Sequence, residues 1–168
     1  MRNKNLFVIS MLVLPWLTIP FIEKKTIKRF LPGTIMTSIY LVIEGIHAEK
    51  KKWWRFNYKI KPNVIGELPL ILGPFFVGSI WILKYTFGKF KLYFILNIII
   101  DSFFTYLFIP LMEKTHYVTL VKLSKFKLSI LFLLKSLYMY VVQYIYEKAF
   151  DILNSSPNYI DEEEKVNS

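Results

Sequence analysis

Apolar residues arrive along this chain in five blocks, 6–22, 30–46, 64–83, 90–112 and 128–146, and nearly all the charges lie between them. Each block is close to the ~20 residues a helix needs to cross ~30 Å of hydrocarbon. The pattern predicts an all-α fold: a polytopic transmembrane helical bundle of about five spans, filling residues 1–150. The first two blocks are short and would stand nearly upright or thin the bilayer locally. Block one has a basic start, Arg2 and Lys4, but "TIPFIEKK" offers no small-x-small cleavage site. It is therefore expected to be an uncleaved span rather than a signal peptide. Residues 151–168 are polar and acidic and are expected to form a disordered tail.

Composition sharpens this reading. The 168 residues are 54% hydrophobic and 18% aromatic, with a mean hydropathy of +0.39. A soluble domain mixes apolar and charged residues more evenly. No cysteine is present, which removes disulfides, thiolate metal sites and cysteine nucleophiles. The net charge of +10 would suggest nucleic acid in a soluble protein. Here the cations flank apolar blocks, where they meet lipid headgroups, so no nucleic-acid partner is expected.

The connections set an orientation. With the N-terminus inside, twelve Lys and Arg fall on the inner side and nine on the outer, which favours N-in and C-out. The loop "EKKKWWRFNYKIKP" interleaves cations with Trp53, Trp54, Phe56 and Tyr58. It is expected to anchor at headgroup depth, with anionic headgroups as partners of residues 50–62. Residues 115–127 alternate apolar and basic positions, and either a short interfacial helix or a plain loop fits them. No internal repeat is visible, so an inverted-repeat transporter is not indicated.

Ionisable groups inside a span are costly and usually face a partner or water. Four candidates stand out: Glu44, Glu67, Asp101 and Lys135. Asp101 is the deepest. Tyr93, Asn97, Asp101 and Thr105 recur every four residues and form a polar stripe expected to face the bundle interior. Lys135 sits ~11 Å and Asp101 ~17 Å from their shared connection, a difference that a lysine side chain can cover. The expected contact is therefore an Asp101–Lys135 pair, which either locks two helices or serves a proton or ion relay. Glu44 and Glu67 lie near one membrane face and are expected to be interfacial carboxylates neutralised by Lys50, Lys51, Lys52 and Arg55.

Glu44-x-x-His47 and Glu113-x-x-His116 both place a carboxylate and a histidine three residues apart. Paired motifs of this kind, joined by further carboxylates such as Glu67, hold two metals in helical bundles. The match is weak, because two more carboxylates are needed and the helix must continue through Lys114 and Thr115. No cofactor is expected. H-E-x-x-H, G-x-S-x-G and P-loop signatures are absent, and no catalytic residue is assigned.

The third block, "GELPLILGPFFVGSIWIL", combines Glu67 with Pro69, Pro74 and three glycines. Pro69 falls in the first turns, where a missing N–H costs little. Pro74 should bend the helix, and Gly73 should admit a close neighbour. Glu67, Pro74 and Gly78 share a face that is expected to point into the bundle.

The run "GELPLILGPFFVGSIWILKYTFGKF", with "LPWL", "KKTIKRFLP" and "KKWW" before it and "DSFFTY" and "LVKLSKFKLS" after it, resembles a functionally uncharacterised family of small multi-pass membrane proteins of Bacillus-like Gram-positive bacteria. The likeness covers about Leu14 to Glu147. It implies the membrane class and a bacterial plasma-membrane location, and it carries no reaction. Three functions stay open: a non-enzymatic membrane component, a small-solute or ion transporter using Asp101, Lys135 and Glu67, and a di-metal enzyme. A second copy or another membrane protein is a candidate partner. Reporter fusions in the loop 50–62 should report a cytoplasmic location and fusions at the C-terminus an external one; a cytoplasmic C-terminus would rule out five spans.

Overall fold

The apolar blocks become five helices in the computed structural model, which describes residues 2–57 and 66–155. They are α1 (Arg2–Trp16), α2 (Lys24–Lys50), α3 (Leu68–Thr86), α4 (Phe90–Lys114) and α5 (Lys125–Ser155). The last four are long and apolar enough to cross a membrane, and α1 belongs to a shorter apolar stretch, Leu6–Phe21. The expected first span is cut short for a local reason. Pro15 and Pro20 lack the amide hydrogens that would continue the ladder. The chain turns at Leu17 and Thr18 and tightens into a 3₁₀ turn over Ile19–Phe21. At the other end the helix runs past the expected boundary at residue 150, to Ser155. The rest of the expected tail, 156–168, lies outside the described residues.

The surface is inverted relative to a soluble protein. Leu6, Ile9, Ile95, Ile99, Phe103, Leu107 and Ile145 are more than half exposed, whereas Asn97, Gln143, Lys135 and Glu67 are buried. Apolar side chains face outward where lipid would lie, and polar ones gather inside.

Helices α2 and α5 pack antiparallel in a clear register. Arg29 meets Glu147 through two hydrogen bonds of 2.6 Å. Gly33 meets Gln143, Tyr40 stacks near Tyr138 at 4.9 Å, and Glu44 meets Lys135. Pro32 weakens the α2 ladder at the start of this row. The fully buried Gln143 enters there, donating to Arg29 O at 3.0 Å and accepting from Gly33 N–H at 3.3 Å. Gly33 is what lets α5 come this close.

One end of the bundle is closed by a small antiparallel sheet. β1 (Trp54–Phe56) pairs with β2 (Val118–Leu120) in the register Trp54↔Leu120, Arg55↔Thr119, Phe56↔Val118. Both strands leave a helix by the same device. Lys52 and His116 take left-handed φ of 55° and 56°. Trp53 N–H then reaches back to Ala48 O and Tyr117 N–H to Met112 O, closing two Schellman turns. Trp54 and Val118 point inward and Arg55 and Thr119 outward. The expected interfacial helix or loop over 115–127 is thus a strand followed by the start of α5. Within the expected interfacial loop, Lys50, Lys51, Lys52 and Arg55 are exposed, whereas Trp54 is 5% exposed and belongs to the core. Tyr58, Lys59 and Lys61 of that loop lie outside the described residues.

Both α3 and α4 contain a π turn. Phe76 N–H reaches Ile71 O and Ile109 N–H reaches Phe104 O, each five residues back. Pro74 lies inside the first turn and Pro110 just beyond the second. A widened turn gives each ring room that a tight α-turn would deny it.

Two glycines of α3 carry opposite meanings. A Cβ on Gly73 would lie 2.6 Å from Met11 O of α1, whereas a Cβ on Gly78 would meet nothing within 4 Å. Gly73→Ala should therefore cost ~1–3 kcal/mol by forcing α1 away, while Gly78→Ala should be neutral or mildly stabilising. Thermal unfolding in detergent checks both; equal losses would contradict this packing.

Candidate functional site

The four ionisable groups singled out in the sequence come from four different elements and meet in the interior. Lys135 of α5 pairs with Glu44 of α2 at 2.7 Å, with side chains 7% and 9% exposed. Glu67, one residue before α3, is 6% exposed and accepts a hydrogen bond from the Trp54 side chain of the sheet. The lysine charge acts on both Glu67 and Asp101 of α4. Its amine lies 5.0 Å from the Phe132 ring and 5.8 Å from the Trp54 ring, so aromatic faces complete its surroundings.

The expected Asp101–Lys135 pair is replaced by Glu44–Lys135, and side-chain direction is the reason. Helical side chains lean toward their own N-terminus. α5 starts at the sheet end, so Lys135 leans toward the sheet. α2 and α4 run toward the sheet, so Glu44 and Asp101 lean away from it. Glu44 starts nearer the sheet, six residues before the end of α2, and leans down to meet the rising lysine. Asp101 starts thirteen residues before the end of α4, farther from the sheet than Glu44, and leans away. Comparing Cα depths alone hides this. The expected neutralisation of Glu44 and Glu67 by Lys50–Lys52 and Arg55 is likewise corrected, because Glu44 has Lys135 and Glu67 has Trp54.

The polar stripe of α4 lies against the bundle. Tyr93 and Thr105 are fully buried, Asn97 is 3% exposed and Asp101 is part-buried. Tyr93 donates to Ser136 O at 2.5 Å, and Asn97 donates to Tyr93 O at 2.8 Å. Among the described residues, one oxygen each of Asp101 and Glu67, Glu44 Oε1 and the Thr105 hydroxyl are buried without a hydrogen-bond partner.

Asp101 and Lys135 border a cavity of ≈ 240 Å³ between α2, α3, α4 and α5. A second, smaller space of ≈ 20 Å³, about the size of one water, sits beneath the sheet beside Glu67 and Trp54. Phe75 and Phe132 border both. With Phe104 they form a ring cluster at centroid distances of 5.2, 5.4 and 5.7 Å, which separates the two spaces. Phe75 and Phe104 both belong to the π turns. Tyr117 seals the sheet end by donating to Gly66 O at 2.8 Å. Burial, helped by the Glu67 charge, pushes its hydroxyl well above the ordinary tyrosine value, which keeps it a donor.

The E-x-x-H arrangement is not assembled. α4 ends at Lys114, and His116 takes a left-handed conformation beyond it, so Glu113 and His116 do not share a helix face. His47 and His116 are exposed, and a Glu113 oxygen lies 3.4 Å from the Leu120 amide. Among the described residues, no group of three His, Asp or Glu converges as metal ligands.

Sequence reasoning missed Trp54, because tryptophan beside lysines suggests an interface. The alternation of "WRF" and "VTL" was the available signal for a strand pair that turns it inward. It also missed the phenylalanine cluster, whose members are far apart in sequence. No family model, curated protein or solved structure matches the chain.

Removing the cation while keeping the bulk, as in Lys135→Met, leaves buried carboxylates unpaired and should cost ~3–5 kcal/mol. Adding Glu44→Gln should recover most of that loss and adding Asp101→Asn little. Unfolding of the single and double variants decides the pairing, and better rescue from Asp101→Asn would overturn it.

Proposed function

We propose that this chain is a non-enzymatic, multi-pass membrane protein whose bundle interior binds and passes a small cation, the proton included. The observation that carries this reading is a charge imbalance. Among the described residues, three carboxylates, Glu44, Glu67 and Asp101, gather around a single lysine, Lys135, in the interior. Only one carboxylate is matched by Lys135. The others need a proton or a bound cation, since bare charge in a low-dielectric interior costs several kcal/mol per ion. Asp101 adjoins an open cavity, and Glu67 adjoins a water-sized space beyond the phenylalanine cluster. They are two stations on opposite sides of the phenylalanine cluster.

Further features fit this role. The exposed Lys50, Lys51, Lys52 and Arg55 around β1 suit anionic headgroups on the cytoplasmic side. The sequence resemblance supports a bacterial plasma membrane. An assembly role, with a second copy or another membrane protein as partner, competes with transport and predicts no flux.

Asp101 is the residue to test, because neutralising it does not strand Lys135. In liposomes with an imposed pH gradient, the wild-type protein should dissipate the gradient, and Asp101→Asn should slow this by about tenfold or more, as expected for loss of an intramembrane relay group. Both proteins should insert and melt alike. Equal rates in the two, or no rate above empty liposomes, would remove the transport reading in favour of assembly.

A further inference from the structure

The ≈ 240 Å³ cavity has an unusual wall. Its hydroxyls are occupied by their own helices: Thr37 donates to Gly33 O, Ser79 to Phe75 O and Ser136 to Leu133 O. Lys135 is held by Glu44. Asp101 remains, with one buried oxygen that has no partner among the described residues. Asn97 also lines the space and donates to Tyr93 O; the remaining walls are apolar or aromatic, Trp81 and Phe132 among them. A cavity of about 150 Å³ lined by apolar groups can hold benzene. This one has room for an aromatic ring and a short polar arm.

Asp101 also borders a second space, a groove of ≈ 210 Å³ between α4 and α5. Ile98 and Ile130 of that groove are 41% and 43% exposed, on the surface where hydrocarbon would lie. The carboxylate thus stands between the cavity and the outer face of the bundle. Ser129, on the same groove, has a hydroxyl without a partner in the protein.

We infer that the cavity is a binding site for a small hydrophobic monoamine in its ammonium form, with Asp101 as counter-ion, reached from the lipid through the α4–α5 groove. The chemistry follows from the wall: a carboxylate oxygen that no described residue satisfies, a lysine already paired with Glu44, and aromatic surface for the organic body. This rests on the cation reading above and names the class of cation.

Benzylamine, protonated at pH 7, and benzyl alcohol have nearly the same shape and differ in charge. Calorimetry on the purified protein in lipid nanodiscs should show the amine binding about tenfold or more tightly than the alcohol, as a charge-assisted hydrogen bond requires. Asp101→Asn should erase that preference while the alcohol binds as before. Gly78→Leu, whose side chain grows into open space in the cavity, should weaken both ligands by about tenfold or more without loss of folding. Ile130→Trp, which narrows the groove, should slow amine association and leave affinity unchanged. Equal affinity for amine and alcohol in the wild type, or binding that survives Gly78→Leu, would overturn the site; unchanged association in Ile130→Trp would overturn the lateral route. If the amine fails to bind while Asp101-dependent proton flux persists, the amine is wrong and the cation reading stands. Loss of both removes both.

Discussion

A lysine amine inside an apolar bundle cannot stand alone, and most of this architecture follows from where its counter-charge lies. Lys135 finds Glu44 on α2, and that contact fixes the depth at which α2 and α5 cross. The register it sets is repeated along the pair: Tyr40 against Tyr138, Gly33 against Gln143, Arg29 against Glu147. Without a hydrophobic drive between helices in lipid, close packing and polar contacts must hold them. Here glycine supplies the closeness, and glutamine and the ion pairs supply the polarity. The exposed Arg29–Glu147 contact contributes little beside the buried pair, because water and salt screen it.

The sheet matters for the same reason. Among the described residues no lysine forms an ion pair with Glu67, and it is kept in the interior by a cover that gives it a donor. Trp54 does this, and it can do so only because β1 pairs with β2 and turns its ring inward. Two left-handed residues, Lys52 and His116, stop α2 and α4 where the strands must begin. A lysine or histidine pays more than glycine for that conformation, by ~1 kcal/mol each. The sheet must therefore return that cost through the burial of Trp54, Tyr117 and Val118.

Much of this was legible in the sequence, and the gaps have physical causes. Block lengths and charge placement gave the helices, and four-residue spacing gave the polar stripe through Asn97 and Asp101. Gly73 was readable as a close approach because a glycine beside a proline in an apolar run has few other uses. The partner of Lys135 is not legible from depth along the helices, because the lean of each side chain decides which carboxylate the amine meets. Trp54 was assigned to the interface because residue type outweighed the two-residue alternation around it. The phenylalanine cluster could not be found in principle from spacing alone, since Phe75, Phe104 and Phe132 meet only through tertiary packing.

The cavity is not a failure of packing, as its hydroxyl groups show. A serine or threonine that lacks a partner in an apolar interior usually draws in water or a neighbouring helix. Thr37, Ser79 and Ser136 instead turn back onto carbonyls of their own helices and expose little that water could bind. The π turn at Pro74 holds Phe75 at one end of the space. Gly78 keeps the α3 wall flat where a larger residue would fill it without strain. If stability alone had shaped this helix, a larger side chain at position 78 would cost nothing and would gain buried area. A glycine there, facing a carboxylate with an unsatisfied oxygen, is better explained by a space that must be kept open for something positively charged.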